Sequence, residues 1–199
     1  MDNASPENEA QLRKIITDYT EMPDADWALI APYLREKAIA RGERWVTEGE
    51  KAKDVGMILN GSMRHYYTKQ DEEKTTYFYF ENAMVSAYIS CITGNASALS
   101  IEALTDTRLV LFPYARMKEA YKTSIAWERF GRMIAEWAMM GLEDRMVSLL
   151  TQTPEERYLA LLQSTKTKIT ERIPQHLIAN YLGITPVSLS RIRNRIHKK

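Results

Sequence analysis

The side chains best suited to contacting a nucleic acid lie near the C-terminus of the chain. At helical spacing, Val187 and Arg191 fall on one side of their segment, opposite Leu189. An arginine so placed can donate two hydrogen bonds to a guanine, and a valine can contact a thymine methyl group. These residue types therefore predict direct contact with bases in the major groove of DNA.

Polar and basic neighbours extend the same surface. Thr185 and Ser188 lie near the start of the predicted helix, a position that favours phosphate oxygens. Arginines farther along would neutralise the charge of the DNA backbone. The alternative is a helical hairpin with an ordinary charged surface. The predicted DNA-binding residues are Thr185, Pro186, Val187, Ser188, Ser190, Arg191, Arg193, Asn194 and Arg195, with Lys198 and Lys199 as further phosphate contacts.

Two predicted helices position this surface. Pro174 suits the first turn of one helix, and Gly183 can take the positive φ that ends it. Thr185 then caps a second helix, whose first position is Pro186. Two helices joined by a short glycine turn form a helix-turn-helix.

The charge of the chain is unevenly distributed. Residues 151–199 carry nine Lys and Arg against three Asp and Glu, a balance of +6. The other 150 residues carry eighteen against twenty-three, a balance of −5. A basic segment on an acidic body is expected of a nucleic-acid-binding module, although a solvated basic tail would give the same count.

The segment from Ala38 to about Phe112 indicates an antiparallel β-domain. Short runs of β-branched and aromatic residues alternate with glycines at about ten-residue spacing, which is typical of a sandwich or barrel. Asn60-Gly61 predicts a hairpin turn. Helical spacing predicts two helices before this domain, at 9–20 and 24–37, the second capped by Asp24. The predicted strands are 44–47, 55–59, 63–68, 75–80, 100–103 and 108–112.

One long helix is predicted over Ser124–Thr151, which contains no proline. Its apolar positions are too many for one stripe, so more than one face must be covered. A helix of ~28 residues spans roughly 40 Å, more than the small β-domain needs. We expect one face to pack on that domain and another on a second copy of the chain, with burial inside one chain as the alternative. The predicted dimer contacts are Phe130, Ile134, Trp137 and Gly141.

Composition narrows the class of protein. Hydrophobic residues make up 45% and charged residues 27%, which is ordinary for a globular chain. Without an eighteen-residue apolar run or a secretory signal, we expect a cytoplasmic protein with no membrane partner. The single cysteine, Cys91, excludes a disulfide framework or a four-thiolate metal site within one chain. Because barrel metalloenzymes need two or three histidines and the β-domain has His65 alone, we predict no enzyme.

On these residues the chain resembles the Crp/Fnr superfamily of bacterial regulators from about Asp24 to Lys199. The matches are Arg41-Gly42-Glu43, Glu48-Gly49-Glu50 and Leu59-Asn60-Gly61 and, most specifically, the helix-turn-helix segment 178–193. The resemblance implies an α+β fold. An antiparallel β-roll of the cyclic-nucleotide-binding, jelly-roll type (1–123) precedes a central dimerisation helix (124–151) and a helix-turn-helix domain (152–199). The β-wing that follows the helix-turn-helix in many members is expected to be truncated.

The resemblance also implies a function. It implies a transcription regulator that binds a roughly palindromic DNA site as a homodimer, with RNA polymerase as a candidate further partner. By position, Pro186, Val187 and Arg191 match the base-reading residues of the family. Because the usual acidic residue at position 187 is replaced, the recognised sequence should differ from the family consensus. The alternative is a cyclic-nucleotide-binding regulatory module that acts through a protein partner.

The ligand-binding part departs from the family pattern. Members that bind cyclic nucleotides carry Gly-Glu for the ribose and, about ten residues later, Arg-Ser/Thr for the phosphate. Here Ser97 stands at the arginine position and no arginine is near it in sequence. Because burying an anion without a paired cation is costly, we expect no tight binding of cAMP and no cofactor. If a pocket for another effector survives, its candidate residues are Arg64, Tyr79, Tyr88 and Ser97.

Overall fold

The computed structural model describes residues 2–163 and 167–196, and the fold it shows is α+β. The strands are β1 (Asp2–Asn3), β2 (Arg35–Ile39), β3 (Arg44–Val46), β4 (Asp54–Asn60), β5 (Met63–Lys69), β6 (Glu72–Tyr79), β7 (Met84–Val85), β8 (Ser100–Ala103) and β9 (Thr107–Pro113). The helices are α1 (Pro6–Thr17), α2 (Asp24–Trp27), α3 (Tyr88–Thr93), α4 (Tyr114–Ala120), α5 (Ile125–Thr151), α6 (Pro154–Gln163), α7 (Thr167–Arg172), α8 (Gln175–Leu182) and α9 (Pro186–Ile196).

The strands form two antiparallel sheets that enclose a core, as the β-roll prediction requires. One sheet has the order β1-β2-β9-β4-β7, and the other has the order β3-β8-β5-β6. The first sheet is buried on both faces. Along β9, Leu109 and Leu111 point into the roll, whereas Val110 and Phe112 pack against the helices outside it. This double burial explains why residues 109–112 of β9 are all apolar rather than alternating with polar residues.

The long central helix α5 is confirmed and begins in the core of the roll. Ser124 caps it, because its hydroxyl accepts a hydrogen bond from the Trp127 amide at 3.1 Å. Trp127 and Phe130 are buried, and both contact the cluster that contains Phe112. Among the described helices, none has the length and apolar character needed to cross a bilayer.

The predicted helix over 24–37 is wrong for most of its length. The helix beginning at Asp24 ends at Trp27, a single 3-10 turn follows at Ala31–Tyr33, and Arg35 already belongs to β2. Pro32 explains the difference, because a proline cannot donate the backbone hydrogen bond of a helix interior. The strand β2 then pairs with β9, which no local pattern indicates.

The predicted hairpin at Asn60-Gly61 is also wrong. The chain crosses there from one sheet to the other, since β4 pairs with β7 and β9 while β5 pairs with β6 and β8. The tight hairpin lies one strand later, where Gln70 and Asp71 both have positive φ, as a type I′ turn requires. Gly61 is needed for a different reason: a Cβ there would lie 2.5 Å from Thr107 Oγ1 and 2.7 Å from the Asp106 carbonyl oxygen.

We predict that Gly61→Ala destabilises the fold more than Gly94→Ala does. Gly94 also has positive φ, but a Cβ added to it would have no neighbouring atom within 4 Å, so its substitution costs only backbone strain. We expect about 1 kcal/mol for Gly94→Ala from strain alone, and at least ~2 kcal/mol for Gly61→Ala, where a steric clash is added. Denaturant unfolding of the two variants measures the difference, and equal losses would show that the close approach at Gly61 costs nothing.

Candidate nucleic-acid interface

The predicted helix-turn-helix is present as α8, a glycine turn and α9. Gly183 has φ 73° and ψ 31°, the left-handed conformation that ends α8. The amide of Ile184 then donates to the Ala179 carbonyl oxygen at 3.0 Å, which closes the turn. Pro186 begins α9, as predicted.

The recognition helix α9 has one buried face and one exposed face. Leu189 and Ile192 are buried together with Ile178 and Leu182 of α8 in one core. On the opposite side Val187 is 61% exposed, and the side chains of its neighbours on that face are exposed as well. The exposed face consists of Val187, Ser190, Arg191 and Asn194, and we call it the reading face.

The hydroxyl groups at the start of α9 are engaged with each other. Thr185 Oγ1 accepts a hydrogen bond from the Ser188 amide at 3.2 Å and lies 3.0 Å from Ser188 Oγ. Thr185 therefore caps the helix, as predicted. A phosphate oxygen would have to share these hydroxyls with the cap, since Pro186 has no N–H and the Leu189 amide already donates to the Thr185 carbonyl oxygen at 3.0 Å.

The two arginines after Arg191 occupy unexpected places. Arg193 lies on the inner side of α9, four residues after Leu189, and its Nε is buried without a partner among the described residues. It lines a crevice of about 240 Å³ with Tyr158 and Ile178, which corrects its expected place beside the groove. Arg195 is exposed but donates to Glu155 Oε2 at 2.6 Å. Lys198 and Lys199 lie outside the described residues.

Arginines from other helices hold α8 in place. Arg145 of α5 donates to the Tyr181 carbonyl oxygen and lies over the Tyr181 ring, with its guanidinium carbon 4.3 Å from the ring centroid. Arg157 of α6 donates to the Leu182 carbonyl oxygen at 3.0 Å and to the Gln152 carbonyl oxygen at 2.7 Å. These cations bind the negative end of the α8 dipole. The sequence analysis did not predict this role for Arg145 and Arg157, because both residues are distant from α8 in sequence.

The structure does not gather the four candidate effector residues into one pocket. Arg64 faces α8, while Tyr79 packs on the core of the roll, where burial raises the pKa of its hydroxyl. Tyr88 stacks edge-on against Tyr114, with the ring centroids 5.7 Å apart. Ser97 is buried, and its hydroxyl donates to the Leu99 carbonyl oxygen at 2.8 Å. Its function here is to stabilise the loop.

Arg64 is already paired with carboxylates of the roll. Its Nε donates to Glu102 Oε2 at 2.6 Å, and its Nη2 is ion-paired with Glu73 as well as Glu102. The guanidinium carbon also lies 4.3 Å from the Tyr66 ring centroid. Two carboxylates already neutralise this buried cation, so an anionic ligand would have to displace one of them.

Three of the four predicted dimer residues, Phe130, Ile134 and Trp137, contact other parts of their own chain. Phe130 is 1% exposed and Ile134 packs on the same core. Trp137 stacks edge-on against Tyr19, with ring centroids 4.5 Å apart. Phe130 is therefore corrected to a core residue. Gly141 is exposed, and a Cβ added to it would have no neighbouring atom within 4 Å, so a side chain would meet open space there.

A second stripe on α5 is apolar and uncovered. Met139, Leu142, Met146 and Leu149 are 63%, 63%, 56% and 45% exposed. Together with the exposed Ala135 they follow the 4-3-4-3 spacing of a coiled-coil seam. We call these five residues the α5 seam.

Comparison with known proteins agrees with this architecture. The cyclic nucleotide-binding domain family matches residues 36–124. The fumarate and nitrate reduction regulatory protein of Vibrio cholerae is 24% identical over 176 residues, 82% of this chain and 69% of that protein. The structure of FixK2 from Bradyrhizobium japonicum superposes with a TM-score of 0.72 at 21% identity, covering 83% of this chain and 85% of that one. A putative Crp/Fnr transcriptional regulator from Eubacterium rectale gives a TM-score of 0.69 at 20% identity, covering 88% and 83%.

Residues 36–124 match the cyclic nucleotide-binding domain family, and over most of its length the chain is similar to regulators of the Crp/Fnr type. The family match ends at residue 124, so it covers the roll and stops where α5 begins. The structural superpositions cover more than four fifths of the chain, so they extend beyond the residues of the family match.

The residues of this chain do not fit a resident metal cluster. A four-thiolate iron–sulfur cluster needs four cysteines, and the sequence has Cys91 alone. Burial raises the pKa of the Cys91 thiol, which disfavours the thiolate that binds metals. Burial also lowers the pKa of His65 to about 4, and His65 Nδ1 lies 3.0 Å from the Thr76 hydroxyl. Within the described residues, no three His, Cys, Asp or Glu side chains cluster as metal ligands would.

Proposed function

We propose that this protein is a DNA-binding transcription regulator that reads a roughly palindromic site as a homodimer. One observation carries the proposal: α9 turns Val187, Ser190, Arg191 and Asn194 outward from a packed helix-turn-helix. Such a helix fits the major groove, where an arginine identifies guanine and a short apolar side chain identifies thymine. The named relatives, which are transcription regulators, support the same conclusion.

We propose that the second copy binds along the α5 seam. A helix stripe with this apolar character, exposed over about four turns, is stabilised when an identical stripe packs on it. Leucine at 142 and 149, with methionine at 139 and 146, gives the alternating layers of a two-stranded coiled coil. A two-fold axis along α5 would place two reading faces on one side of the dimer, as a palindromic site requires.

We further propose that regulation does not depend on cAMP. Ser97 occupies the position of the phosphate-binding arginine and is hydrogen-bonded to its own loop. Arg64, the nearest substitute proposed from sequence, is bound to Glu73 and Glu102. The same proposal divides the chain into a roll, a dimerisation helix and a DNA-binding domain. It also includes a contact with RNA polymerase.

Salt dependence of DNA binding tests the proposed phosphate contacts. Each neutralised phosphate contributes a slope of about −0.9 to a plot of log affinity against log salt concentration. If Arg195 exchanges Glu155 for a phosphate in both subunits, Arg195→Ala should reduce the slope by about two. Fluorescence anisotropy with a labelled duplex measures it. Glu143→Ala, on an exposed position of α5, serves as a control, and an unchanged slope for Arg195→Ala would remove Arg195 from the interface.

A further inference from the structure

The helix-turn-helix is bound to the edge of its own β-roll. β6 is an edge strand, because the sheet order β3-β8-β5-β6 ends with it. The side-chain amide of Asn180 in α8 pairs with this edge: Nδ2 donates to the Glu73 carbonyl oxygen at 2.7 Å, and Oδ1 accepts from the Thr75 amide at 2.7 Å. One side chain thus supplies the two hydrogen bonds that a neighbouring strand would make.

An ion-pair cluster makes a second connection between the two parts. The Glu81 carboxylate, just after β6, accepts hydrogen bonds from Arg172 Nη1 at 2.7 Å and Nη2 at 2.8 Å. Lys168 Nζ donates to the same carboxylate at 3.1 Å. The Arg172 hydrogen bonds lower the pKa of Glu81 to about 2, so the carboxylate is charged at neutral pH. Paired hydrogen bonds of this kind are directional as well as strong.

A shared hydrophobic core makes a third connection. Phe78 of β6 is 5% exposed and belongs to the cluster formed by α6, α7, α8 and α9. Its ring centroid lies 5.4 Å from that of Tyr181. The next residue, Tyr79, points the other way and packs on the core of the roll. A single strand therefore contacts the roll interior with one face and the DNA-binding helices with the other.

Acidic groups of the roll face the start of the DNA-binding helices. A cleft of about 570 Å³ is lined by Asp71, Glu72 and Glu73 on one side, and by His176 of α8 and Pro186 of α9 on the other. Arg64 and Lys74 also line it and pair with Glu73 and Glu72. The lining therefore holds two cations against three carboxylates, and Asp71 is the carboxylate without an ion pair among the described residues. Helix N-termini attract phosphate groups, whereas carboxylates repel them. A DNA backbone approaching these N-termini would meet the acidic turn of the roll.

We propose that these contacts form an autoinhibitory latch, in which β6, Glu81 and Asn180 hold the helix-turn-helix against the acidic turn until its release permits DNA binding. The latch rests on the proposed function. Its residues lie away from the reading face, so they can be changed without altering the groups that contact bases. A change inside the roll that displaces β6 would be transmitted to α8 through the contacts of Phe78 and Asn180.

Charge reversal at Glu81 tests the latch in the full chain. Glu81→Arg replaces two attractions by repulsions from Arg172 and Lys168. The matched control is Glu119→Arg, an equal charge change on α4, where Glu119 pairs with Arg116 at 2.8 Å. Asn180→Ala is a second variant, which removes the edge contact without adding charge. Hydrogen exchange of the Thr75 amide, followed by NMR, reports opening, and anisotropy with a mixed-sequence duplex at fixed salt reports DNA affinity.

We expect Glu81→Arg to exchange the Thr75 amide at least tenfold faster and to bind DNA at least tenfold more tightly than Glu119→Arg. Asn180→Ala should change both quantities in the same direction by a smaller factor. Unchanged exchange in both variants would overturn the latch as a physical restraint. Faster exchange with unchanged or weaker DNA binding would overturn its inhibitory role. Faster exchange in proteins that bind no DNA at all would instead contradict the proposed function, and the inhibitory role with it.

Discussion

Arg191→Ala is expected to weaken binding to the preferred DNA site by about 1–3 kcal/mol per half-site, roughly 5- to 150-fold. Arg191 is exposed on the reading face, one turn after Val187, where a guanidinium can meet the O6 and N7 atoms of a guanine. Binding to mixed-sequence DNA should fall much less, because it depends on charge rather than on base contacts. Titration of both duplexes with each protein measures the two effects.

Arg191→Lys is the matched control for that experiment. Lysine keeps the positive charge but lacks the two parallel donors of the guanidinium. It should therefore retain binding to mixed-sequence DNA while losing much of the preference for the specific site. If Arg191→Ala lost the same affinity for both duplexes, Arg191 would be a phosphate contact and the proposed reading of bases would be incorrect.

Leu142→Glu is expected to convert the dimer into monomers. Leu142 lies at the centre of the α5 seam, so a symmetric pair of helices would bring both substituted side chains together. Burial of a leucine contributes about 1.5–3 kcal/mol per chain, and two facing carboxylates add repulsion. The combined loss should raise the dimer dissociation constant at least ~100-fold. Sedimentation equilibrium measures this constant directly.

Met140→Glu is the control for the seam. Met140 is also an exposed apolar residue of α5, 49% exposed, but it lies off the seam. The Met140→Glu substitution adds the same charge to the same helix but outside the α5 seam, so the dimer should remain intact. Monomers in both variants would indicate a general effect on α5, and dimers in both would place the subunit interface elsewhere. If each subunit contacts one half-site, as proposed, Leu142→Glu should also abolish the gain in affinity from a second half-site.

The sequence predicted the long helix, the helix-turn-helix and most strands because their signals are local. Ser124, Gly183 and Pro186 mark helix ends through their own backbone preferences. The predicted helix over 24–37 was too long, because its apolar spacing was given more weight than Pro32, which interrupts a helix. The predicted hairpin at Asn60-Gly61 was wrong because the sequence does not show why a glycine is needed. A tight turn and close packing both require glycine, and Gly61 is needed for close packing.

The face of α5 proposed to bind a second copy could not be predicted from the sequence, for a different reason. Phe130, Ile134, Trp137 and Gly141 have the same 4-3-4 spacing as the α5 seam, but they lie on a different face of the same helix. Periodicity cannot tell which apolar face its own chain covers, because that depends on where the roll and Tyr19 lie. The contacts of Asn180 and Glu81 were hidden for a similar reason: their partners are 105 and 91 residues away in sequence.

The central claim is that paired α9 helices read DNA, and selection of bound duplexes from a random-sequence pool tests it most directly. The purified protein is used with no added ligand, together with the latch variant Glu81→Arg. We expect enrichment of an inverted repeat whose half-sites are centred about 10 base pairs apart, or a small multiple of that, with guanine at a fixed position in each half. Failure of both proteins to enrich any sequence would contradict the claim.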